Sequence, residues 1–523
     1  MVLVVAKPPV SLMSVEGRIM AGHSPHPTRR AILGGLLAAS AFPALANAPE
    51  RSLRPMPRPV STGARGRAPA IAAQSIEQLL QRANLGGATG FMALDAQSGA
   101  ILEEHGADLP LPPASVAKAP TTLFALHALG LEHRFITRVL ARGGAISGGV
   151  LRGDLVLQGG GDPTLQTADL AQMADALIAQ GLRRVEGRFL VDDGALPAIG
   201  QIAVDQPVQA GYNPAISGLN LNYNRVHFQW APSGGQMRLT MDARSNREVP
   251  PVSVIGITAH DGGPVYTYAN SGGREAWTVS RQALGNGGSR WLPVRRPGAY
   301  AGDVMRTLLA SRGCTVPAPQ PATGGSGGAV LAEHRSPQSS EMTREMLRFS
   351  TNITAECMGL AAARRLAPGT QDLARSGQVM AGFLAQRYGA QGLHFIDHSG
   401  LGDASRVTAR AMSAFFLGAH REGILPGLLR RHTMRDAQWR EMENHPVRVH
   451  AKTGTLNFVN GLGGYARAPG GREIVFAIFS ADISRRAAIP AEARDRPPGG
   501  QEWARRARVL QQGLIERWSA TYG

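Results

Sequence analysis

A chain of 523 residues is long enough for two or three domains, and its 43% hydrophobic content supplies ordinary cores without a run of membrane-spanning length. The formal charge of +17 favours anionic surroundings, yet only 5% of the residues are aromatic and no basic stripe is interleaved with them, which argues against nucleic acid as a partner. Two cysteines, Cys314 and Cys357, are too few for a disulfide framework, and no Cys/His cluster has zinc spacing, so no metal and no cofactor is expected; whether the two thiols pair or stay separate is left open.

At the N-terminus, Thr28-Arg29-Arg30 precedes an apolar run from Ala31 to Phe42, and Ala46-Asn47-Ala48 follows as a small-residue cleavage site. Residues 1–48 therefore read as an export signal, the paired arginines resembling the twin-arginine type, with Met20 as an alternative start. The expected location is periplasmic. Removing that segment takes away four basic groups and one acid and leaves +14, a surface drawn to an anionic envelope. Residues 49–72, with five arginines and five prolines, read as a flexible leader.

Order is expected from a short helix at Ser75–Arg82, capped by its serine, followed by a β-hairpin of Gly90–Leu94 and Ala100–Glu104 about the turn Asp95–Gly99. Pro110-Leu111-Pro112-Pro113 delivers the chain to Ser115, and an apolar helix follows from Thr121 to Leu129. From about Gly143 to Gly328 short apolar runs alternate with glycine and proline turns, a β-rich texture closed by the glycine-rich stretch from Thr323 to Gly328. Helical periodicity returns over Ser340–Leu366 and Gln371–Arg387, strands over Gly461–Ala466 and Glu473–Ala481, and a last helix over Gln501–Ser519. The reading is one domain in two parts, 73–142 and 331–523, split by an insertion over 143–330.

Only three lysines stand against 52 arginines, and two of them, Lys118 and Lys452, fall in short motifs. Arginine cannot give up its proton near neutral pH whereas a buried lysine can, so lysine retained at these two positions points to amine chemistry. In Ser115-Val116-Ala117-Lys118 the i, i+3 spacing sets hydroxyl and amine on one helix face, with Ser115 as nucleophile and Lys118 as its general base. Burial and a second cation, Lys452, would lower the pKa of Lys118. Ser350-Thr351-Asn352 heads a helix, with Ser350 as proton relay and Asn352 as an amide for a substrate carbonyl. Lys452-Thr453-Gly454-Thr455 lies on a strand: Lys452 meets a substrate carboxylate, Gly454 permits close backbone approach, and the N–H groups of Thr455 and Ser115 form an oxyanion hole. His450 beside this motif reads as an exposed strand residue.

With these three motifs in this order, the chain resembles the penicillin-recognising serine acyl-transferases. Within them it is most similar to the penicillin-binding protein 4 type D-alanyl-D-alanine carboxypeptidase/endopeptidase family, peptidase family S13. The 231 residues between Lys118 and Ser350, the stretches Gln158–Leu165 and Gly211–Asn224, and Asp397-His398-Ser399-Gly400-Leu401 carry that subgroup likeness, which spans roughly 75–515. It implies an α/β (α+β) fold: a β-lactamase/transpeptidase-like antiparallel sheet flanked by helices, with the β-rich insertion between the first and second motifs. It further implies peptidoglycan stem peptides as substrates and β-lactams as inhibitors. An acid of the insert, Asp162, would then face the amino end of a peptide side chain, or else serve as a turn-stabilising Asp-Pro. Pro120 just after the first motif is expected to kink or tighten that turn, and His398 with Gly402-Asp403-Ala404 to disturb the Ser-Gly-Leu segment. Two other readings are a serine β-lactamase or esterase with the same motifs, and a non-catalytic wall-binding scaffold.

Overall fold

In the helix Ile76–Ala83, Ser75 Oγ accepts from the Gln78 N–H while Gln78 Oε1 accepts from the Ser75 N–H, so two donors without intrahelical partners are satisfied at once. The computed structural model describes residues 74–322, 327–436, 438–490 and 493–523. The export signal expected over 1–48, the leader over 49–72 and residues 323–326 of the glycine-rich stretch lie outside them.

Six strands form one antiparallel sheet in the order Arg431–His432, Arg448–Leu456, Val459–Arg467, Glu473–Ala481, Ala88–Asp95, Ile101–His105. Strands from the two ends of the chain are thus neighbours at its centre. Within Glu473–Ala481, Ile474–Phe479 reads as an unbroken apolar run because both faces of the sheet are covered. Val475, Ala477 and Phe479 pack on one side with Phe415 and Phe416, while Ile474, Phe476 and Ile478 pack on the other with Trp503 and Trp518. The first layer comes chiefly from the helices Lys118–Leu129 and Ala409–Glu422, the second from the C-terminal helix Gly500–Tyr522. Trp518 is the pin of that second layer: its ring lies 5.7 Å from Phe91 and 6.0 Å from Phe476, and its indole N–H donates to Glu103 at 2.8 Å.

A second, five-stranded sheet is mixed: Pro319–Pro321, Phe189–Asp192, Asp154–Gln158, Ile136–Arg142, Ala329–Arg335. Of its strands, Ile136–Arg142 lies wholly before the boundary expected at 142/143, and Ala329–Arg335 crosses the one expected at 330/331. The chain instead passes between the two regions at Phe135 and Ser336, which are bonded side by side, Phe135 N–H to Ser336 Oγ at 2.9 Å and Ser336 N–H to Phe135 O at 3.0 Å. The glycines that mimic a boundary, Gly143 and Gly144, belong to a turn within the second region. That region also holds two helices the β-rich texture hides, Thr167–Ala179 and Pro297–Ser311, both rich in small residues. Three three-stranded sheets, two built on Arg225–Ser233 and Arg274–Ser280 and a small one on Val150–Leu151, complete it.

Removing the Trp518 side chain opens a cavity between the sheet and its last helix and leaves the Glu103 carboxylate short of a donor. Trp518→Ala is expected to cost about 3–5 kcal/mol, read as a lowered urea midpoint.

Candidate active site

The approach segment ends in a single turn of 3-10 helix, Ala114–Ala117, that runs straight into the helix Lys118–Leu129. Three residues per turn put i and i+3 in line, and Lys118 Nζ donates to Ser115 Oγ at 2.9 Å. Pro120 falls in the first turn of the α-helix, where a missing N–H breaks no ladder bond. The tightening expected of it is met by the 3-10 turn before it. Ala114 has φ +45°, a left-handed conformation unusual outside glycine, and Gly400 packs so closely on it that a Cβ there would lie 1.9 Å from the Ala114 carbonyl oxygen.

Ser350 is the left-handed residue, φ +58°, that separates the helices Ser339–Phe349 and Asn352–Leu366. Helical periodicity runs unbroken across this point, and only the Ser-Thr-Asn motif marks a helix start there. The Ser350 hydroxyl accepts from Lys452 Nζ at 3.0 Å, and the same amine donates to the Thr453 carbonyl at 2.8 Å. Asn352 Oδ1 accepts from Lys118 Nζ at 2.7 Å, while its amide donates to the Tyr212 carbonyl at 2.9 Å, tying the second region to the site. Each amine therefore holds one hydroxyl.

Lys452 and Gly454 share one face of the strand Arg448–Leu456, which is paired with Val459–Arg467 along its length. A Cβ on Gly454 would sit 2.9 Å from Ser115 N and 2.8 Å from Pro113 O. On the strand's other edge Ala451 N–H bonds Arg430 O at 3.3 Å. Backbone groups alternate along a strand, so the N–H groups of Thr453 and Thr455 point to that same edge, away from Val459–Arg467. Thr455 is exposed, its hydroxyl accepting from Asn460 at 3.2 Å.

Lys118 is fully buried, and desolvation, opposed by the charges of Glu356 and Asp397, brings its pKa down to about 7. Lys452 is held well below the usual amine range by burial, then by the charge of Lys118 and by Arg430. The two acids are buried as well. Glu356 rises to about 8 through burial and Asp397, and Asp397 to about 6 through burial.

These acids organise the loop that carries the third acceptor of Lys118. Glu356 accepts from the N–H of His398 at 2.9 Å and of Ser399 at 2.8 Å; Asp397 accepts from Gly400 at 2.6 Å and Gly402 at 2.7 Å. The Ser399 carbonyl thereby reaches Lys118 Nζ at 2.8 Å. Sequence reasoning missed Glu356 and Asp397 as site residues. The i, i+4 spacing of Asn352 and Glu356 on one helix was the available signal. His398 and Gly402 do not disturb the loop: the imidazole fills a slot beside Gly359, where a Cβ would come within 2.1 Å of the ring, and its Nε2 lies 2.6 Å from Ser376 Oγ.

Asp162 departs from the substrate-facing expectation. It is 2% exposed, and its Oδ1 accepts from the N–H and hydroxyl of Thr164, both at 2.7 Å, which is the turn-forming alternative. His450 is exposed on its strand. Cys314 and Cys357 are separate buried thiols. Among the described residues no group of His, Cys, Asp and Glu is placed to hold a metal, and no helix is long and apolar enough to cross a membrane.

Residues 72–496 match the model of the D-Ala-D-Ala carboxypeptidase 3 (S13) family. The chain belongs to that family. It is a serine-type D-alanyl-D-alanine carboxypeptidase, a peptidase of the bacterial cell wall. Among curated relatives, the D-alanyl-D-alanine carboxypeptidase of Actinomadura sp. (strain R39) is 28% identical over 455 residues, 78% of this chain and 80% of the relative. Carboxypeptidase DacB of Mycolicibacterium smegmatis is 26% identical over 458 residues, 82% and 83% of the two chains. In fold, this S13 chain is similar to penicillin binding protein 4 of Haemophilus influenzae, with a TM-score of 0.67 at 19% identity over 85% of this chain and 98% of the other. The transpeptidase-like architecture expected from the motifs is the one observed.

Gly454→Ala tests the packing of the motif strand on Ser115. The added methyl displaces backbone, not a flexible side chain, so acylation by penicillin is expected to fall by about two orders of magnitude while the urea midpoint moves little.

Proposed function

We propose that Ser115 is the acylated nucleophile of this S13 peptidase and Lys118 its general base. The observation that carries the assignment is the environment of one amine: Lys118 Nζ, fully buried, donates to Ser115 Oγ, Asn352 Oδ1 and the Ser399 carbonyl, with no fourth acceptor among the described residues. Three acceptors saturate an ammonium. Loss of one proton, accessible with a pKa of about 7, leaves a lone pair directed at the hydroxyl it must deprotonate.

As Ser115 Oγ bonds to the carbonyl carbon of the penultimate D-alanine, its proton passes to Lys118 and the carbonyl π electrons move to oxygen. The N–H groups of Ser115 and Thr455 receive that oxyanion. On collapse the C–N bond breaks, and the leaving amine of the terminal D-alanine takes a proton through Ser350, which Lys452 holds in place. Asn352 orients the acyl amide, and Lys452 with Thr453 meets the terminal carboxylate. Water attacks the ester with Lys118 again as base, and the shortened peptide leaves as a carboxylic acid. A cross-linked peptide presents the same D-alanyl bond, so endopeptidase cleavage needs no further catalytic group.

β-Lactams place a strained amide where the D-alanyl bond would lie, and the related Haemophilus influenzae protein has been solved with a β-lactam. The arginine-paired apolar segment over residues 31–42 supports export to the periplasm.

Fluorescent penicillin is expected to label the protein, with Ser115→Ala abolishing the label; labelling that survives moves the nucleophile elsewhere. Adduct lifetime separates peptidase from β-lactamase, since turnover within seconds belongs to the latter.

Lys118→Arg keeps the positive charge but cannot release a proton, and acylation should drop by about 10²–10⁴-fold. In the unsubstituted protein the reactive form is the neutral amine, which gains population as pH rises through about 7. Acylation rates should therefore climb between about pH 6 and 8 and then level. A rate independent of pH across that window excludes Lys118 as the base.

A further inference from the structure

Behind the site, where the helix Lys118–Leu129 hands over to the strand Ile136–Arg142, a groove of about 480 Å³ opens between the two regions. Four arginines line it, Arg134, Arg138, Arg364 and Arg365, together with His133, and none of the described lining residues is acidic. Arg138 is already neutralised by Glu333 at 2.9 Å. The other three are not. Arg134 donates to the Ser336 carbonyl at 2.6 Å and Arg364 to the Thr370 carbonyl at 3.0 Å, contacts that fix two guanidinium groups without cancelling their charge. Arg365 makes no hydrogen bond or ion pair with any described residue.

His133 adds a second, independent sign. Its Nε2 is buried and has no hydrogen-bond partner among the described residues, an orphaned polar atom on a residue that lines the groove. Burial first, and then the nearby Arg365 charge, hold this imidazole below its ordinary pKa. Arg364 and Arg365 also complement the C-terminal end of the helix Asn352–Leu366. That accounts for two charges on a helix end. It does not account for a third cation from another element, the orphaned ring nitrogen, or the missing acids.

We propose that this groove binds a phosphate group. A carboxylate is satisfied by one guanidinium fork, whereas a tetrahedral phosphate offers acceptor oxygens in several directions and suits guanidinium groups arriving from different elements. The site is separate from the Ser115 machinery, so it serves to hold the enzyme on, or regulate it by, a phosphate-bearing component of its surroundings. Two sources share that chemistry: free phosphates and phospholipid headgroups.

The test uses the purified full chain at physiological ionic strength with two probes, inorganic pyrophosphate by calorimetry and vesicles containing phosphatidylglycerol by co-sedimentation. Saturable binding is expected in at least one arm, weakened about tenfold by Arg365→Glu and likewise by Arg134→Glu on the opposite wall. Penicillin acylation of Ser115 should be unchanged in both variants, which keeps this result distinct from any failure of the nucleophile assignment. Binding to pyrophosphate assigns free phosphate; binding to vesicles alone assigns the headgroup. No saturable binding in either arm, or binding indifferent to both substitutions, overturns the proposal.

Discussion

The burial of the Lys118 amine is the constraint around which the rest is arranged. A charged lysine in a fully buried position is unfavourable unless its donors are met, and here they are met by a hydroxyl, an amide oxygen and a backbone carbonyl drawn from three separate stretches of chain. Desolvation favours the neutral form, while Glu356 and Asp397 pull the other way. The balance falls near neutrality. A group poised there can take and return a proton within one cycle, which a surface lysine cannot do.

Positioning that amine explains features that otherwise look unrelated. The 3-10 turn aligns it with Ser115. The left-handed break at Ser350 ends one helix so that the next can start with Asn352 facing the amine. Glycines at 400 and 454 let backbone approach the Ala114–Ser115 turn where any side chain would collide. The carboxylates of Glu356 and Asp397 have amide donors of the loop as partners, so they act as fixed supports and not as solvent-facing acids. The Tyr212 carbonyl, from the second region, holds the far side of Asn352. The inserted material is therefore part of the site's geometry.

Much was legible from residue pattern because the signals were local. The hairpin at 88–105, the helix cap at Ser75 and the apolar strand Glu473–Ala481 follow from turn residues, capping chemistry and apolar runs that need no distant partner. Three lysines among fifty-five basic groups marked the amines. Errors arose where local signal and tertiary pairing disagree. Gly143 and Gly144 look like a domain edge, yet strand pairing puts Ile136–Arg142 in the second region's sheet. Of the two readings open for Asp162, facing a substrate amine or stabilising an Asp-Pro turn, Thr164 claims the carboxylate for the turn. At Ser350 the motif marks a helix start, while the helical periodicity of its flanks alone runs across the break.

Composition and motif order by themselves determined the reaction class, since a serine–lysine pair, a serine–asparagine pair and a lysine strand require only particular residue types at short spacings. What the tertiary structure alone decided is convergence: that residues 115, 118, 350, 352, 399 and 452 meet, that two acids stand behind Lys118, and that its amine is fully desolvated. Short spacings are encoded along the chain. Desolvation is a property of everything packed around a point, and no single segment carries it.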